Sequence, residues 1–226
     1  MAAPEVLTFL KSLPESERSA LLGSGHAKRW QTGELLVRRG DRADSAIILL
    51  SGLVKIHTPT ADGDEVVLAF AGPGDLLGEV IAVRDAARSA SVTAMEQVDG
   101  VVIAVPTLRS LLKQYPVATL SLLDMELSRL RVSDVRRIEF ATSPSLARVA
   151  ARLVELAERF GVPSADGAVE VTLPISQEEL ASWSASSLES TARALRTLRD
   201  LGLIETSRRR LAVLDLEGLL AHRPRL

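Results

Sequence analysis

The chain has 226 residues, of which 46% are hydrophobic, and its formal net charge is −2; this composition excludes a disordered chain, and the length fits one large or two modest folded domains. Because there is no cysteine, structural disulfides, thiolate zinc sites and cysteine-ligated iron–sulfur clusters are excluded, and the histidines His26, His57 and His222 are too scattered for a metal site. With neither a signal peptide nor an apolar run of about 18 residues, we expect a cytoplasmic protein without a membrane partner.

The first part of the chain changes from a helical to a strand-like pattern. Two short amphipathic helices are predicted for residues 4–10 and 16–22. Between residues 28 and 105 the apolar residues occur in short β-branched runs, separated by glycine and aspartate turns roughly every ten residues. This spacing is typical of an antiparallel roll or barrel and not of βαβ units.

The pattern becomes helical again after residue 106. A short helix at residues 107–114 precedes a longer one that begins at Pro116, ends near Phe140 and contains neither glycine nor a further proline. Four leucines on the long helix follow one another in steps of three and four, as in the seam of a coiled coil: Leu120, Leu123, Leu127 and Leu130. We interpret them as the interface of a homodimer; an amphipathic helix that packs on its own domain is the alternative.

A break that ends in Pro144 marks a domain boundary. Beyond it we predict a helix at 145–160, a strand at 169–173, helices at 177–184 and 187–201, and short strands near residues 204 and 212. The last two helices are each preceded by a predicted S-x-x-E capping box, one from Ser176 to Glu179 and one from Ser186 to Glu189. Because the two helix starts are only ten residues apart, the first helix must be short and a tight turn must lead into the second. This arrangement is a helix-turn-helix.

The second of these helices carries an exposed face that suits base edges in the major groove. Three segments of this part of the chain carry a resemblance to a known family: residues 173–183, the Ser-x-Glu-Ser-x-x-Arg-Ala-Leu core at 187–195, and residues 201–205 followed by 207–210. Together they resemble the DNA-binding domain of CRP/FNR regulators. In that resemblance the last segment corresponds to the β-hairpin wing, whose arginines meet phosphates. The residues implied in DNA binding are Ser176, Gln177, Ser187, Leu188, Glu189, Ser190, Arg193, Arg208, Arg209 and Arg210. A small helical domain without a role in DNA binding is the alternative.

Three residues depart from the pattern of that family. Leu188 stands where arginine is usual, so we expect it to meet a thymine methyl group in place of a guanine. Ala185 replaces the usual turn glycine, and a left-handed alanine there is strained by about 1 kcal/mol. Thr191 replaces a usual valine or isoleucine, which makes the packing slightly more polar. The operator should therefore differ from the best-known site of the family.

A second resemblance lies in the strand-rich part. Residues 74–80, Gly-Asp-Leu-Leu-Gly-Glu-Val, and residues 88–92, Arg-Ser-Ala-Ser-Val, are similar to the phosphate-binding cassette of cyclic-nucleotide-binding domains. The resemblance implies that a glycine lets the backbone approach the ligand, that Glu79 accepts from a ribose hydroxyl and that Arg88 binds the cyclic phosphate. It also implies that two residues of the long helix bind the purine. The complete implied site is Gly78, Glu79, Val80, Arg88, Ser89, Ser133 and Asp134.

Two other interpretations of this cassette stay open. In an empty pocket, Glu79 and Arg88 would form a structural ion pair, because a lone buried charge is unfavourable. Such a pocket would belong to a regulator that is constitutive, or to one that senses a different ligand.

Together these patterns predict an α+β protein: an N-terminal antiparallel double-stranded β-helix, or jelly-roll, sensor domain (1–115), a dimerisation helix (116–141) and a C-terminal winged helix-turn-helix domain (142–226). We expect a ligand-responsive transcription regulator that requires no cofactor, takes cAMP as its effector, and has double-stranded DNA, RNA polymerase and a second copy of itself as partners. A cyclic-nucleotide-binding regulatory protein that acts on a protein partner is the alternative. Because we find no acid/base pair, metal frame or triphosphate-binding loop, we predict no catalytic residues and no enzyme activity.

Overall fold

The computed structural model describes residues 8–60, 62–80, 86–165, 167–171, 175–207 and 210–224. The chain divides into two compact units, with the boundary between Leu130 and Arg131. The long helix, Pro116–Thr142, contributes its first part to one unit and its last residues to the other. Within the described ranges, no helix is both long enough and apolar enough to cross a membrane.

Along the described part of the chain, the first unit begins with short helices, continues with eight strands and ends with helices. A 3-10 helix (Leu10–Ser12) and α1 (Glu15–Gly23) come first, so the predicted helix 16–22 is confirmed, whereas the predicted helix 4–10 begins outside the described residues. The strands are β1 (His26–Trp30), β2 (Leu35–Val37), β3 (Ser45–Ser51), β4 (Val54–Pro59), β5 (Glu65–Ala71), β6 (Leu76–Leu77), β7 (Ser91–Ala94) and β8 (Val98–Ala104). Helix α2 (Val105–Gln114) and the start of α3 (Pro116–Thr142) follow.

The strands form two antiparallel sheets, in the orders β1-β8-β3-β6 and β2-β7-β4-β5. Successive side chains of a strand point to opposite faces, so strand β3 contributes to the packing on both sides of its sheet. Ile47 packs in one cluster with Val92 of the other sheet. Its neighbour Ile48 packs in another cluster with Leu21 of α1 and Leu108 of α2. The predicted antiparallel jelly-roll is confirmed.

A carboxylate from α1 lies at the amino terminus of α3. Glu17 is only 8% exposed, and its Oε2 accepts a hydrogen bond of 2.7 Å from the backbone amide of Ala118. The first amides of a helix have no partner within the helix, and a negative charge there is favourable. Ala118 and Leu122 pack into the core beside it. The start of α3 is therefore fixed to the first unit by a buried charge as well as by apolar contacts.

The second unit combines helices with one small sheet. After the end of α3 come α4 (Ser145–Phe160), β9 (Val162–Pro163), β10 (Val169–Val171), α5 (Gln177–Trp183), α6 (Leu188–Asp200), β11 (Ile204–Ser207), β12 (Arg210–Val213) and α7 (Leu216–Ala221). The sheet order is β11-β12-β10-β9. Helix α4 packs on α6, with Leu153 of α4 and Leu198 of α6 among the buried residues. The predicted winged helix-turn-helix is confirmed, although residues 172–173 of the predicted strand lie outside the described residues.

Candidate ligand pocket and DNA-binding face

The loop after β6 places a glycine against an arginine side chain. Gly78 has a φ of +76°, and a Cβ atom added to it would lie 2.1 Å from Nη1 of Arg88. Any other residue at this position would therefore be strained in its backbone, and the guanidinium of Arg88 would have to move away from the added atom. The two residues that follow differ in exposure, since Glu79 is 6% exposed and Val80 is 44% exposed.

Arg88 is a buried cation whose neighbours are mostly oxygen atoms. It is 9% exposed, and its Nη2 donates to the carbonyl oxygen of Ser45 over 2.6 Å. Burial lowers the pKa of the Arg88 guanidinium, while the nearby carboxylates of Asp44, Glu79 and Asp41 raise it. The charge is thus stabilised by a backbone carbonyl oxygen and by nearby carboxylates. Ser89, the next residue, is exposed.

The ion pair of Glu79 is formed with a residue that the sequence analysis missed. Arg129 of α3 donates from Nη1 to Oε1 of Glu79, and its Nη2 donates to the carbonyl oxygen of Leu76 over 3.2 Å. Among the described residues, the expected alternative of a direct pair between Glu79 and Arg88 is therefore wrong. Helix α3 places the cation of Arg129 at the carboxylate of Glu79, and Arg88 donates to the carbonyl oxygen of Ser45 instead.

A second carboxylate shares the same guanidinium. Nη1 of Arg129 also donates to Oε1 of Glu126 over 2.9 Å. Burial, together with the charge and a hydrogen bond of Glu79, raises the pKa of Glu126 to about 7, although Arg129 acts in the opposite direction. The spacing Glu126-x-x-Arg129 places both residues on one face of a helix, and this local signal could have identified them.

The other residues predicted for the ligand site lie on α3 in the second unit. Ser133 and Asp134 are both exposed, and Oδ1 of Asp134 accepts from Nη1 of Arg137 over 3.5 Å. Their role toward a purine stays a prediction.

The four leucines of the predicted seam are all exposed. Their exposed fractions range from 46% for Leu127 to 65% for Leu120, with Leu123 and Leu130 between these values. These four side chains therefore lie outside the core of the unit, although Ala118 and Leu122 of the same helix pack into it, and their role in a dimer stays a prediction. Val135 and Ile138, on the part of α3 that belongs to the second unit, are also exposed, at 39% and 48%. An exposed apolar surface of this kind marks an interaction site.

The first predicted capping box is confirmed. The amide of Glu179 donates to Oγ of Ser176 over 3.1 Å, and the amide of Ser176 donates to Oε2 of Glu179 over 2.9 Å. These two bonds satisfy backbone donors at the start of α5 and fix the point at which the chain enters the helix. Ser176 and Gln177 are both exposed there.

The second predicted capping box is wrong. Ser187 and not Ser186 is the N-cap of α6, and its Oγ accepts from the amide of Ser190 over 3.1 Å. Glu189 instead forms an ion pair of 2.8 Å with Arg193, one helical turn later. Ser186 and Ser187 are adjacent, and the side chain of either could cap an amide three residues later. The geometry of the turn makes Ser187 the cap. Oγ of Ser186 donates back to the carbonyl oxygen of Ser184 over 3.2 Å.

The turn before α6 contains a left-handed alanine, which is the condition under which the sequence predicts strain. Ala185 has a φ of +50° and is the one non-glycine residue with a positive φ in the described part of the chain. The amide of Ser186 donates to the carbonyl oxygen of Ala181 over 2.9 Å, and the amide of Ala185 donates to that of Ser182 over 3.1 Å. This pair of bonds is the Schellman motif, which usually has glycine at the left-handed position. The strain is about 1 kcal/mol.

Helix α6 buries one face and exposes the other. Thr191, Leu195 and Leu198 are buried in the unit. On the opposite face Leu188 is 47% exposed, and Ser187, Glu189 and Arg193 are exposed beside it, with Ser190 half-buried. The sequence analysis missed Arg196 and Arg199, which are exposed cations on the same helix. A helix with these side chains can enter a major groove and meet both bases and phosphates.

The wing is described only in part. Arg210, the first residue of β12, forms an ion pair with Glu170 of β10. Arg208 and Arg209 were also predicted to contact DNA, and they lie outside the described residues.

Comparison with known proteins assigns both units. Residues 27–115 match the model of the cyclic nucleotide-binding domain, and residues 147–222 match that of the Crp-like helix-turn-helix domain. The chain is 32% identical over 187 residues to the CRP-like cAMP-activated global transcriptional regulator of Mycobacterium tuberculosis, and the match covers 83% of each protein.

Solved structures agree with this assignment. A CRP-family transcriptional regulator from Thermus thermophilus is 28% identical, has a TM-score of 0.71 and is matched over 86% of this chain and 95% of its own. FixK2 from Bradyrhizobium japonicum, at 19% identity, has a TM-score of 0.78 over 89% of this chain and 98% of its own, which is a similarity of fold alone. The chain belongs to the CRP/FNR family of ligand-responsive, DNA-binding transcription regulators.

Proposed function

We propose that the effector of this regulator is cAMP and that Gly78, Glu79, Arg88 and Ser89 bind its ribose and phosphate. One observation carries the proposal: the carboxylate of Glu79 and the guanidinium of Arg88 are both buried, and Nη1 of Arg88 lies 2.1 Å from the position that a Cβ atom of Gly78 would take. Such a pocket offers an acceptor for a ribose hydroxyl and a cation for a phosphate, both shielded from water. These are the groups that a cyclic nucleotide presents.

Ligand binding in this proposal acts on α3. A ribose hydroxyl that donates to Glu79 competes with Arg129, which donates to the same carboxylate. The state of the pocket and the state of α3 are then linked through one guanidinium. If Ser133 and Asp134 also face the purine, the carboxylate of Asp134 accepts from the amino group of adenine and favours cAMP over cGMP.

Calorimetry tests the effector. We expect wild-type protein to bind cAMP more tightly than cGMP, and Arg88→Ala to bind cAMP about a hundredfold more weakly, because charge-assisted hydrogen bonds are lost. The matched control is Arg29→Ala, which removes an exposed arginine of the same unit, paired with Asp99, and should leave binding unchanged. If neither nucleotide gives heat with the wild type, the proposal is wrong.

A constitutive regulator is the second candidate. It is favoured by the contact between Glu79 and Arg129, which leaves the buried carboxylate without need of a ligand. The same calorimetric experiment decides between the candidates, since a constitutive regulator binds neither nucleotide yet still binds DNA.

We further propose that the protein acts in the cytoplasm as a homodimer joined through the leucine seam of α3. A two-fold dimer places its recognition helices on half-sites about 34–36 Å apart, so the operator is a near-palindrome. To shift the dimer from about 1:99 to 99:1 in favour of its DNA-binding state, the effector must prefer that state by roughly 5.5 kcal/mol. Sedimentation equilibrium tests the dimer: Leu123→Glu should give a monomer, whereas Val80→Glu, an apolar position in the loop that is 44% exposed against 54% for Leu123, should not.

The operator follows from the exposed face of α6. Selection of bound fragments from random DNA, with and without cAMP, should yield a palindrome with thymine where Leu188 meets a base. Leu188→Arg should shift that position to guanine in each half-site, and an unchanged consensus would mean that this face does not contact bases. Failure to retain any fragment at low salt would favour the alternative of a regulatory protein acting on a protein partner.

We also propose RNA polymerase as a protein partner, since a regulator bound at a promoter acts on that enzyme. Footprinting of polymerase at a selected operator, with and without the regulator, tests this, and an unaltered polymerase footprint would contradict it.

A further inference from the structure

The side chain of Arg148 of α4 binds the turn between α5 and α6 from outside. Its Nε donates to the carbonyl oxygen of Ser184 over 3.0 Å. Its Nη2 donates to the carbonyl oxygen of Ala185 over 2.9 Å and to Oγ of Ser186 over 3.2 Å. One planar guanidinium therefore binds three consecutive residues, and these are the residues that form the turn.

These contacts coincide with the strained position of the unit. Ala185 holds a left-handed backbone that alanine adopts only at a cost in energy. A strained residue persists where the surrounding structure over-determines its conformation. The Schellman bonds satisfy the amides of the turn, and Arg148 satisfies carbonyl oxygens that have no partner within the helix. A positive charge at the carboxyl end of α5 is also favourable to the helix dipole.

The same guanidinium reaches the end of α3. Nη1 of Arg148 donates to the carbonyl oxygen of Ser143 over 2.5 Å, and the guanidinium lies 5.7 Å from the ring centre of Phe140. The turn that orients α6 and the last residues of α3 are thus bound by one side chain.

A second connection runs beside the first. Arg152 of α4 forms a buried ion pair of 2.9 Å with Glu139 of α3, and it lies 5.6 Å from the ring centre of Trp183, the last residue of α5. Arg136 of α3 lies 5.6 Å from the same ring. Two arginines of α4 therefore join the end of α3 to the helix-turn-helix, and of these two Arg148 binds the turn itself.

We propose that Arg148 is a positioning residue for DNA recognition: it holds the turn at Ala185 in its left-handed conformation and ties it to the end of α3, and so sets the orientation of α6. The inference rests on the proposed binding of an operator by α6. It assigns to Arg148 a role in the specificity of DNA binding without a contact to DNA.

The experiment compares four proteins: wild type, Arg148→Met, Ala185→Gly and the double variant. Methionine keeps the aliphatic packing of Arg148 but donates no hydrogen bonds, and glycine adopts the left-handed turn without strain. Arg159→Met is the matched control, because it removes another arginine of α4 that lies over an aromatic ring. Circular dichroism establishes that each variant is folded. Fluorescence anisotropy measures affinity for a selected operator duplex and for a scrambled duplex, at several salt concentrations.

We expect Arg148→Met to bind the operator about tenfold more weakly and the scrambled duplex with less than about twofold change, since the phosphate contacts remain. Ala185→Gly should restore most of the lost affinity in the Arg148→Met background, and Arg159→Met should behave as wild type. An equal loss on both duplexes, with the salt dependence reduced by about one phosphate contact, would mean that Arg148 binds DNA directly and would overturn the inference.

A measurement without DNA separates this inference from the proposed function. Amide hydrogen exchange of Ser186, whose amide is bonded to Ala181, should become about tenfold faster in Arg148→Met and return toward the wild-type rate with Ala185→Gly. Unchanged exchange would contradict the positioning role. If wild-type protein showed no preference for any duplex, the proposed operator binding would fail, and the exchange result alone would decide whether Arg148 holds the turn.

Discussion

The proposed ligand pocket and the helix-turn-helix of this regulator hold their candidate functional side chains in different ways. In the pocket the charges are buried, and their partners are distant in the sequence: Glu79 binds Arg129, and Arg88 binds the backbone of Ser45. In the helix-turn-helix the functional face is exposed, and its helices begin with hydroxyl groups that bind amides three residues later, at Ser176 and Ser187.

This difference suits the two tasks. A pocket assembled from distant elements changes when any of those elements moves, and binding there can bias the packing of a whole unit. Two helices with local caps keep their own geometry while they are moved as a body. The comparison therefore predicts that substitutions in the pocket alter ligand response, whereas substitutions at the caps alter local stability.

The largest effect is expected from Gly78→Ala. The added Cβ atom would lie 2.1 Å from Nη1 of Arg88, so the guanidinium must move and affinity for cAMP should fall about a hundredfold, as for loss of the arginine itself. The control is Gly63→Ala, which has a similar φ of +89° but open space around the new atom. Calorimetry should show wild-type affinity for Gly63→Ala; equal losses in both variants would mean that backbone strain alone is responsible.

The next effect concerns the start of α3. Glu17→Ala removes the buried carboxylate that accepts from Ala118, and the free energy of unfolding should fall by about 2 kcal/mol. Glu15→Ala, an exposed residue of the same helix that pairs with Arg18, should change it by less than about 0.5 kcal/mol. Urea denaturation measures both, and equal losses would show that the contact with α3 contributes nothing.

The caps of the helix-turn-helix should have smaller effects. Ser187→Ala removes the N-cap of α6 and should lower the free energy of unfolding by about 1 kcal/mol. Ser186→Ala, one residue earlier, removes no cap bond and should be less destabilising. Thermal denaturation of the two variants compares them directly, and the reverse order would restore the capping box that the sequence had suggested.

The smallest effect is a dependence on pH at Glu126. Its pKa is raised from 4.5 to about 7 in the folded protein, so the stability it contributes is fully present below pH 4.5 and is lost as the pH rises through 7. Glu126→Gln has no proton to lose and should gain stability relative to wild type between about pH 5 and pH 8. Because the Glu126 side chain is 37% exposed, solvent screening limits this gain to about 1 kcal/mol.

Chemical denaturation at the two pH values measures that gain. Glu189→Gln, which removes an exposed carboxylate from another helical ion pair, should show no comparable change. A constant difference between Glu126→Gln and wild type at both pH values would show that Glu126 does not gain its proton in this range.

Local signals explain why much of the helix-turn-helix could be predicted. The box at Ser176 and the left-handed Ala185 depend on residues within about one helical turn, and the sequence displays such spacings directly. The one local error, Ser186 in place of Ser187, arose because adjacent serines offer two equivalent patterns. The role of Arg148 in holding the turn could not be predicted, because the residues that it binds there are 36 and 37 positions away in the sequence.

The residues of the proposed pocket were predicted from a resemblance to a family, and that resemblance identified some of them but not Arg129. Gly78, Glu79 and Arg88 come together as expected, but the partner of Glu79 lies 50 residues away on α3. The cap from Glu17 to α3 spans 101 residues. Such contacts follow from how helices pack on the sheets, and no periodicity in the sequence indicates which pairs will meet.

The most direct test of the central claim is the effect of cAMP on operator affinity. Fluorescence anisotropy should show that saturating cAMP strengthens binding of the wild-type protein to a selected operator by at least about tenfold, and that Arg88→Ala binds the same operator equally with and without the nucleotide. Equal operator affinity of the wild-type protein in the presence and absence of cAMP would contradict the account.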